Sequence, residues 1–121
     1  MCYYGFMIHS ISIAADRVVF LDGRGRTHRL KGPALQITNV ETEWYRHGVY
    51  HRLDGPAIVI KNLDITEWCI FGKTHRLDGP AVQTGISNQW WLYGDYFRTI
   101  EGFVIAADKL QKESLRKKRK R

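Results

Sequence analysis

The stretch His51-Arg52-Leu53-Asp54-Gly55-Pro56-Ala57 decides the fold, because it returns unchanged as His75-Arg76-Leu77-Asp78-Gly79-Pro80-Ala81. It returns once more, with a lysine for the aspartate, as His28-Arg29-Leu30-Lys31-Gly32-Pro33-Ala34. The three histidines stand 23 and 24 positions apart. A fixed period of this length marks a repeat architecture, in which each unit buries its apolar surface only against its neighbours. Outward from the string, Trp44 and Trp68 lie seven places before their histidines, with Leu21 at that place in the first copy. Gly25, Gly48 and Gly72 lie three places before. A fourth, decayed copy starts at Trp90 and keeps Gly94 and Arg98, but has Phe97 for the histidine and Glu101-Gly102-Phe103 where the turn belongs. Terminal repeats are expected to be atypical, since one face has no neighbour.

Within one unit, Trp44 to Tyr50 suits a strand with Gly48 as a bend or bulge, and His51 to Leu53 continue it. Asp54-Gly55 reads as a tight turn, the glycine tolerating positive φ and the aspartate bonding its own backbone. Pro56 has no N–H, so pairing resumes from Ala57, and Ala57 to Ile60 form the return strand before a further turn at Asn62-Leu63-Asp64. The expected fold is mainly β: tandem β-hairpin repeats forming an elongated, twisted antiparallel sheet with a short C-terminal helix. The boundaries follow: one β-repeat domain over 1–106, with a strand segment 1–20, units at about 21–43, 44–67 and 68–89 and a degenerate unit 90–106, then a helical or flexible basic tail over 107–121. Trp44 and Trp68 are expected at equivalent buried positions, and Asp54-Gly55 and Asp78-Gly79 at hairpin turns.

The pattern Trp-x3-Gly-x2-His-Arg-x-Asp-Gly-Pro-Ala resembles the variant repeats related to MORN (membrane occupation and recognition nexus) of uncharacterised phage, giant-virus and bacterial proteins. The resemblance covers about residues 20–105. It departs from the standard MORN unit, which places its glycine differently and lacks the Asp-Gly-Pro turn. The resemblance implies a β-hairpin solenoid that serves as an interaction or positioning surface, in some members at membranes, and a viral accessory role. It implies no activity.

The residues themselves favour binding over catalysis. Cys2 and Cys69 form no metal-binding or disulfide pattern, which suits reduced thiols in an intracellular setting, host cytoplasm or nucleus, or a virion. The first ten residues lack the basic start of a secretory signal, and no stretch approaches the ~18 apolar residues of a membrane span. In an extended strand Arg52 and Asp54 share a face and suit an ion pair, whereas His28, His51 and His75 repeat two strands apart, about 9 to 10 Å, too far to converge readily on one zinc ion. The histidines and arginines are instead expected to bond the turns of neighbouring units. No phosphate-binding loop, nucleophile elbow or metalloprotease motif is present, so no catalytic residue, cofactor or metal is expected.

Function is then expected where units differ. Trp44, Trp68 and Trp90 with Arg46, Ile70 and Leu92 read as a buried side, and Tyr45, His47, Cys69, Phe71, Trp91 and Tyr93 as the opposite one. Of these, Tyr45, His47, Phe71, Trp91 and Tyr93 are the candidate partner-binding residues. Self-covering by Ile8 to Ile13 or by the C-terminal segment is the competing reading. An exposed last strand would offer an edge to a second copy.

The net charge of +7 is concentrated in Arg116, Lys117, Lys118, Arg119, Lys120 and Arg121, which leaves the preceding 115 residues close to neutral. After a strand-like Phe103 to Ala106, Asp108 is expected to cap a helix running into this cluster. Six contiguous cations suit nucleic-acid phosphates, with Tyr45, Trp91 and Tyr93 adding base stacking. A nuclear import signal, or attachment to anionic lipid as a membrane-recruited module, are the other readings of the tail. The leading expectation is a non-enzymatic module whose sheet holds a protein partner and whose tail contacts nucleic acid. The alternative is a virion or scaffold component whose tail neutralises packaged nucleic acid.

Overall fold

The computed structural model describes residues 10–119, and Ile8, His9, Lys120 and Arg121 lie outside the described residues. The fold is mainly β, as the repeats require. Strands β1 (Ser10–Ile13), β2 (Arg17–Leu21), β3 (Leu35–Ile37), β4 (Glu41–Glu43), β7 (Ile58–Ile60), β8 (Ile65–Glu67), β11 (Val82–Gln83), β12 (Asn88–Leu92) and β13 (Asp95–Phe97) form one antiparallel sheet in that order, not closed into a barrel. Two short hairpins, β5 (Tyr45–Arg46) with β6 (Val49–Tyr50) and β9 (Cys69–Ile70) with β10 (Lys73–Thr74), project beyond it. A single helix, α1 (Ile100–Arg119), follows.

Each unit runs along the large sheet, bends at its aromatic residue into a small hairpin, and returns through the His-Arg-x-Asp-Gly-Pro-Ala string. The string is therefore not the hairpin turn that its Asp-Gly pair suggests. Ile58–Ile60 pairs with Glu41–Glu43 and Ile65–Glu67, not with the residues before Asp54, so Asp54-Gly55 lies in a bend that carries the chain back to the sheet. The hairpin turn falls seven residues earlier, at His47-Gly48, where φ is +45° and +84°. Gly48 is thus a turn residue rather than a bulge. Gly55 is needed for a different reason from positive φ: a Cβ there would lie 2.6 Å from the Arg52 guanidinium carbon. That guanidinium is held between the glycine and the Trp44 ring, 4.1 Å from the ring centroid, and Arg76 sits over Trp68 at the same distance.

Pairing resumes at the alanine, as the missing proline N–H dictates. The Ala57 N–H donates to the Glu67 carbonyl at 2.8 Å, and its carbonyl accepts from Trp44 at 2.7 Å. Ala34, Ala57 and Ala81 are wholly buried. In the first unit Phe20, not Leu21, takes the tryptophan's place, because the loop after it is one residue longer. The Phe20 carbonyl accepts from the His28 N–H as the Trp44 carbonyl accepts from His51, and Arg29 lies 4.1 Å over the Phe20 ring. The first unit accordingly begins within β2, inside the segment read as 1–20.

Trp44 and Trp68 occupy equivalent places but are half-buried, since their outer faces are roofed by arginine rather than by a second layer. Replacing Trp68 with Ala removes both its packing and the platform for Arg76, and should cost toward the lower end of the about 3 to 5 kcal/mol of a buried tryptophan truncation. Urea unfolding followed by circular dichroism measures it. An unchanged midpoint would show that the ring carries no stability.

The C-terminal segment departs most from expectation. Phe103 to Ala106 are helical, and α1 starts at Ile100, eight residues before Asp108. Thr99 caps it: its Oγ1 accepts from the Gly102 N–H at 3.1 Å, with Glu101 in the first turn favourable to the helix dipole. Phe103, Ala107 and Leu110, on one helical face, pack with Leu77, Trp90, Leu92 and Phe97 in the main apolar cluster. The helix thus covers the last unit. The N-terminal strand β1 extends the sheet edge instead of covering a face, and Ile11 and Ile13 are exposed.

Candidate interaction surfaces

The hairpin turns bring three of the candidate partner-binding residues into one role. His47, Phe71 and Tyr93 each precede a turn glycine with φ of +45° to +47°, a conformation that bulky residues rarely accept. The strain is offset by the preceding unit. The ring of His47 stacks on His28 at 3.9 Å, Phe71 packs on His51 at 4.2 Å, and Tyr93 stacks on His75 at 3.9 Å. The backbone N–H of each turn residue donates to Nδ1 of the same histidine, at 2.9, 2.9 and 3.0 Å. Each histidine therefore clamps the next unit's turn, as the sequence led us to expect. The arginines do otherwise. The side chains of Arg52 and Arg76 bond within their own unit, to Asp54 and the Pro56 carbonyl and to Asp78 and the Pro80 carbonyl, and only their backbone N–H groups reach the next unit, donating to the Cys69 and Trp91 carbonyls.

This geometry fixes the histidine chemistry. Accepting at Nδ1 requires a neutral ring with its hydrogen on Nε2. Burial holds all three histidines below the usual imidazole range; at His28 the neighbouring His47, Arg46 and Arg26 add to this against the opposing Asp22 carboxylate, and Arg46 adds to it at His51. His28 and His51 are almost fully buried, and their Nε2 atoms have no partner. Among the described residues no cluster of three or more His, Cys, Asp or Glu is placed to hold a metal ion.

Phe71 and Tyr93 leave their outer ring faces in solvent, at 64% and 50% exposure, so the turn row is accessible. His47 is anchored instead, its Nδ1 bonded at 2.6 Å to Asp22. Burial opposes ionisation of Asp22, but hydrogen bonds from His47, from the Arg26 and Arg24 backbone and from the Arg26 side chain outweigh it and keep the carboxyl below its usual range.

Tyr45 and Trp91 do not join this row. Tyr45 is half-buried against Tyr50, and both hydroxyls donate to the buried Glu43 carboxylate, at 2.7 and 3.2 Å. In the third unit Thr74 bonds Glu67, and in the fourth the Trp91 indole N–H donates to Gln89 while its ring packs on Tyr96. A hydrogen bond with Glu43, with burial and the Glu43 charge, raises the Glu41 carboxyl above its usual range. Burial, with Glu67 beside it, pushes the Cys69 thiol up to about 12, which makes it inert as a nucleophile. A face carrying Glu41, Glu43 and Glu67 repels phosphate and does not suit base stacking on Tyr45.

The basic cluster continues α1 in regular helix through Arg119, with Arg116 to Arg119 exposed. Among the described residues no helix is long and apolar enough to cross a membrane. One cationic group escaped the sequence reading: Lys31, where the other intact units carry aspartate, lies close to Arg29 and Arg46. The substitution was visible in the repeat, but the groove that gathers these side chains was not. No family model matches the chain, and neither a curated protein nor a solved structure is significantly similar to it.

Proposed function

We propose that this protein is a non-enzymatic interaction module: the repeat sheet holds a protein partner, and the cationic end of α1 contacts nucleic acid. The observation that carries the reading is the position of Arg116 to Arg119, exposed on a helix whose other end is anchored in the core by Phe103 and Ala107. The charge is thereby presented on a stiff arm rather than spread over the sheet. Nucleic acid suits this arm better than lipid. A helix lying on a membrane needs an apolar face beside its cations. Here Leu110 faces the core, and of the exposed apolar residues of α1 only Leu115 lies beside the cluster, Ile100, Val104 and Ile105 standing at the other end of the helix.

The exposed turn residues Phe71 and Tyr93 form the partner side, since aromatic anchors held in fixed geometry lose little entropy on binding. The test is titration of a fluorescent single-stranded oligonucleotide with the intact chain and with a chain ending at Leu115. The intact protein should bind at low salt and the shortened one should not. Equal binding by both would remove nucleic acid from the function.

A further inference from the structure

Three equivalent grooves run between successive units, and one of them is filled. In the last, Leu77, Trp90, Leu92 and Phe97 receive Phe103, Ala107 and Leu110 of α1. The same four positions in the first groove are Leu30, Trp44, Arg46 and His51, with Leu53 on the far wall, and they enclose an open volume of about 500 Å³. The consequence shows in the leucines: Leu77 is half-buried by the helix, whereas Leu30 is 38% and Leu53 70% exposed. The middle groove, between Leu53 and Leu77, is already bordered by Gln111 of α1.

The first groove differs from the filled one in charge. Arg46 stands where the last groove has Leu92, and Lys31 where it has Asp78. With Arg29 and Arg52 also on its wall and Asp54 its one carboxylate, the groove carries four cations against one anion. Arg52 is paired with Asp54, while Arg29, Lys31 and Arg46 have no carboxylate within ion-pair distance among the described residues. The His51 ring on the same wall has a buried Nε2 without a partner.

We infer that the first groove is the docking site for an acidic, amphipathic helical segment of a partner protein, seated as α1 is seated in the last groove. This rests on the reading of the repeats as a partner-binding surface and names its site and its partner's chemistry. An aromatic or aliphatic side chain of the segment enters over Trp44 between Leu30 and Leu53, and carboxylates on its flanks meet Lys31 and Arg46. The α1 helix of a second copy is a poor occupant, because its cationic end would face this charge.

The probe is a fluorescein-labelled peptide copying residues 100–113 with Lys109→Glu and Lys112→Glu, which keeps the Phe103, Ala107 and Leu110 face and makes the other face acidic. Measured by anisotropy against the intact chain, it should bind one to one. The paired variant Lys31→Glu and Arg46→Glu, the first exposed and the second half-buried, should weaken it by about tenfold or more while urea unfolding shows it folded. Ile86→Ser, at a fully exposed residue of the turn before β12, should leave it unchanged. Equal affinity for the wild type and the paired variant would overturn the groove assignment. Loss on Ile86→Ser alone would also overturn it, while keeping the repeats as the partner surface. Displacement of the peptide from this groove by a single-stranded oligonucleotide would overturn a protein partner there.

Discussion

Raising the salt from about 50 to about 200 mM is expected to weaken binding of a short single strand by roughly 250-fold, and of a duplex by roughly 1000-fold. Residues 116–121 carry six cations in an unbroken run. If each meets a phosphate, six condensed counterions are released, and log affinity falls with log salt at a slope of about −4 for single strands and about −5 for duplex. The run continues in regular helix through Arg119 and favours the helix's negative end, and because consecutive cations of a helix point to different sides, six contacts is the upper limit. Deleting the six residues should flatten the slope and weaken binding to all sequences alike. Thermal stability should hardly change, since the buried part of α1 ends well before the cluster. A steep slope retained by the shortened chain would place the phosphate contacts elsewhere, with the first groove the obvious seat.

A second large effect should follow acidification. The clamps of His28 and His51 on the next unit work only with neutral rings, and burial lowers the affinity of both for a proton. The sign follows from proton counting. A group whose folded-state pKa is depressed contributes stability above its unfolded value, about 6.5 for histidine, and loses it as pH falls toward the folded value. Each buried histidine costs up to about 1.4 kcal/mol per pH unit in that window, so two together cost up to about 3. Stability should therefore fall as pH drops below about 6.5, until the folded-state values are reached. His75 acts in the same direction but is less buried. The raised Glu41 carboxyl has the opposite sign and acts from its elevated folded-state value down to the ordinary glutamate range. Urea midpoints from pH 8 to pH 5 measure the outcome. His51→Phe, the residue the fourth unit carries as Phe97, should flatten the dependence in part, leaving the share of His28 and His75. Stability constant across that range would mean that the histidines are not clamps.

How far the sequence reached can be seen unit by unit. The period, the antiparallel pairing and the resumption of the ladder at Ala57 followed from one repeated string and the missing proline N–H. The turn was misplaced because Asp54-Gly55 has turn composition, whereas the real turns carry His47, Phe71 and Tyr93 at a position that usually takes Asn, Asp or Gly. Their strain is offset by a histidine 18 to 20 residues upstream, a non-local contact that no window of sequence displays. The glycine of the string was assigned to positive φ, but its cause is the Arg52 guanidinium beside it. Phe103-Val104-Ile105 looked like a strand from its β-branched content, and docking of Phe103, Ala107 and Leu110 on the last unit overrides that preference. Thr99 and the helical spacing of those three residues were the available signal. Of the candidate site, the basic run was legible outright and the turn aromatics in part. The first groove was not, because its walls come from two units.

The central claim, that one chain joins a protein partner to nucleic acid through separate sites, is tested most directly by capture. An oligonucleotide is fixed to a surface, the protein is added at low salt, and retention of the labelled acidic peptide is read. The account predicts that the intact chain holds the peptide on the surface, while the chain ending at Leu115 and the Lys31→Glu, Arg46→Glu variant both lose it. Mutual displacement of peptide and oligonucleotide, or equal retention by all three proteins, would contradict it.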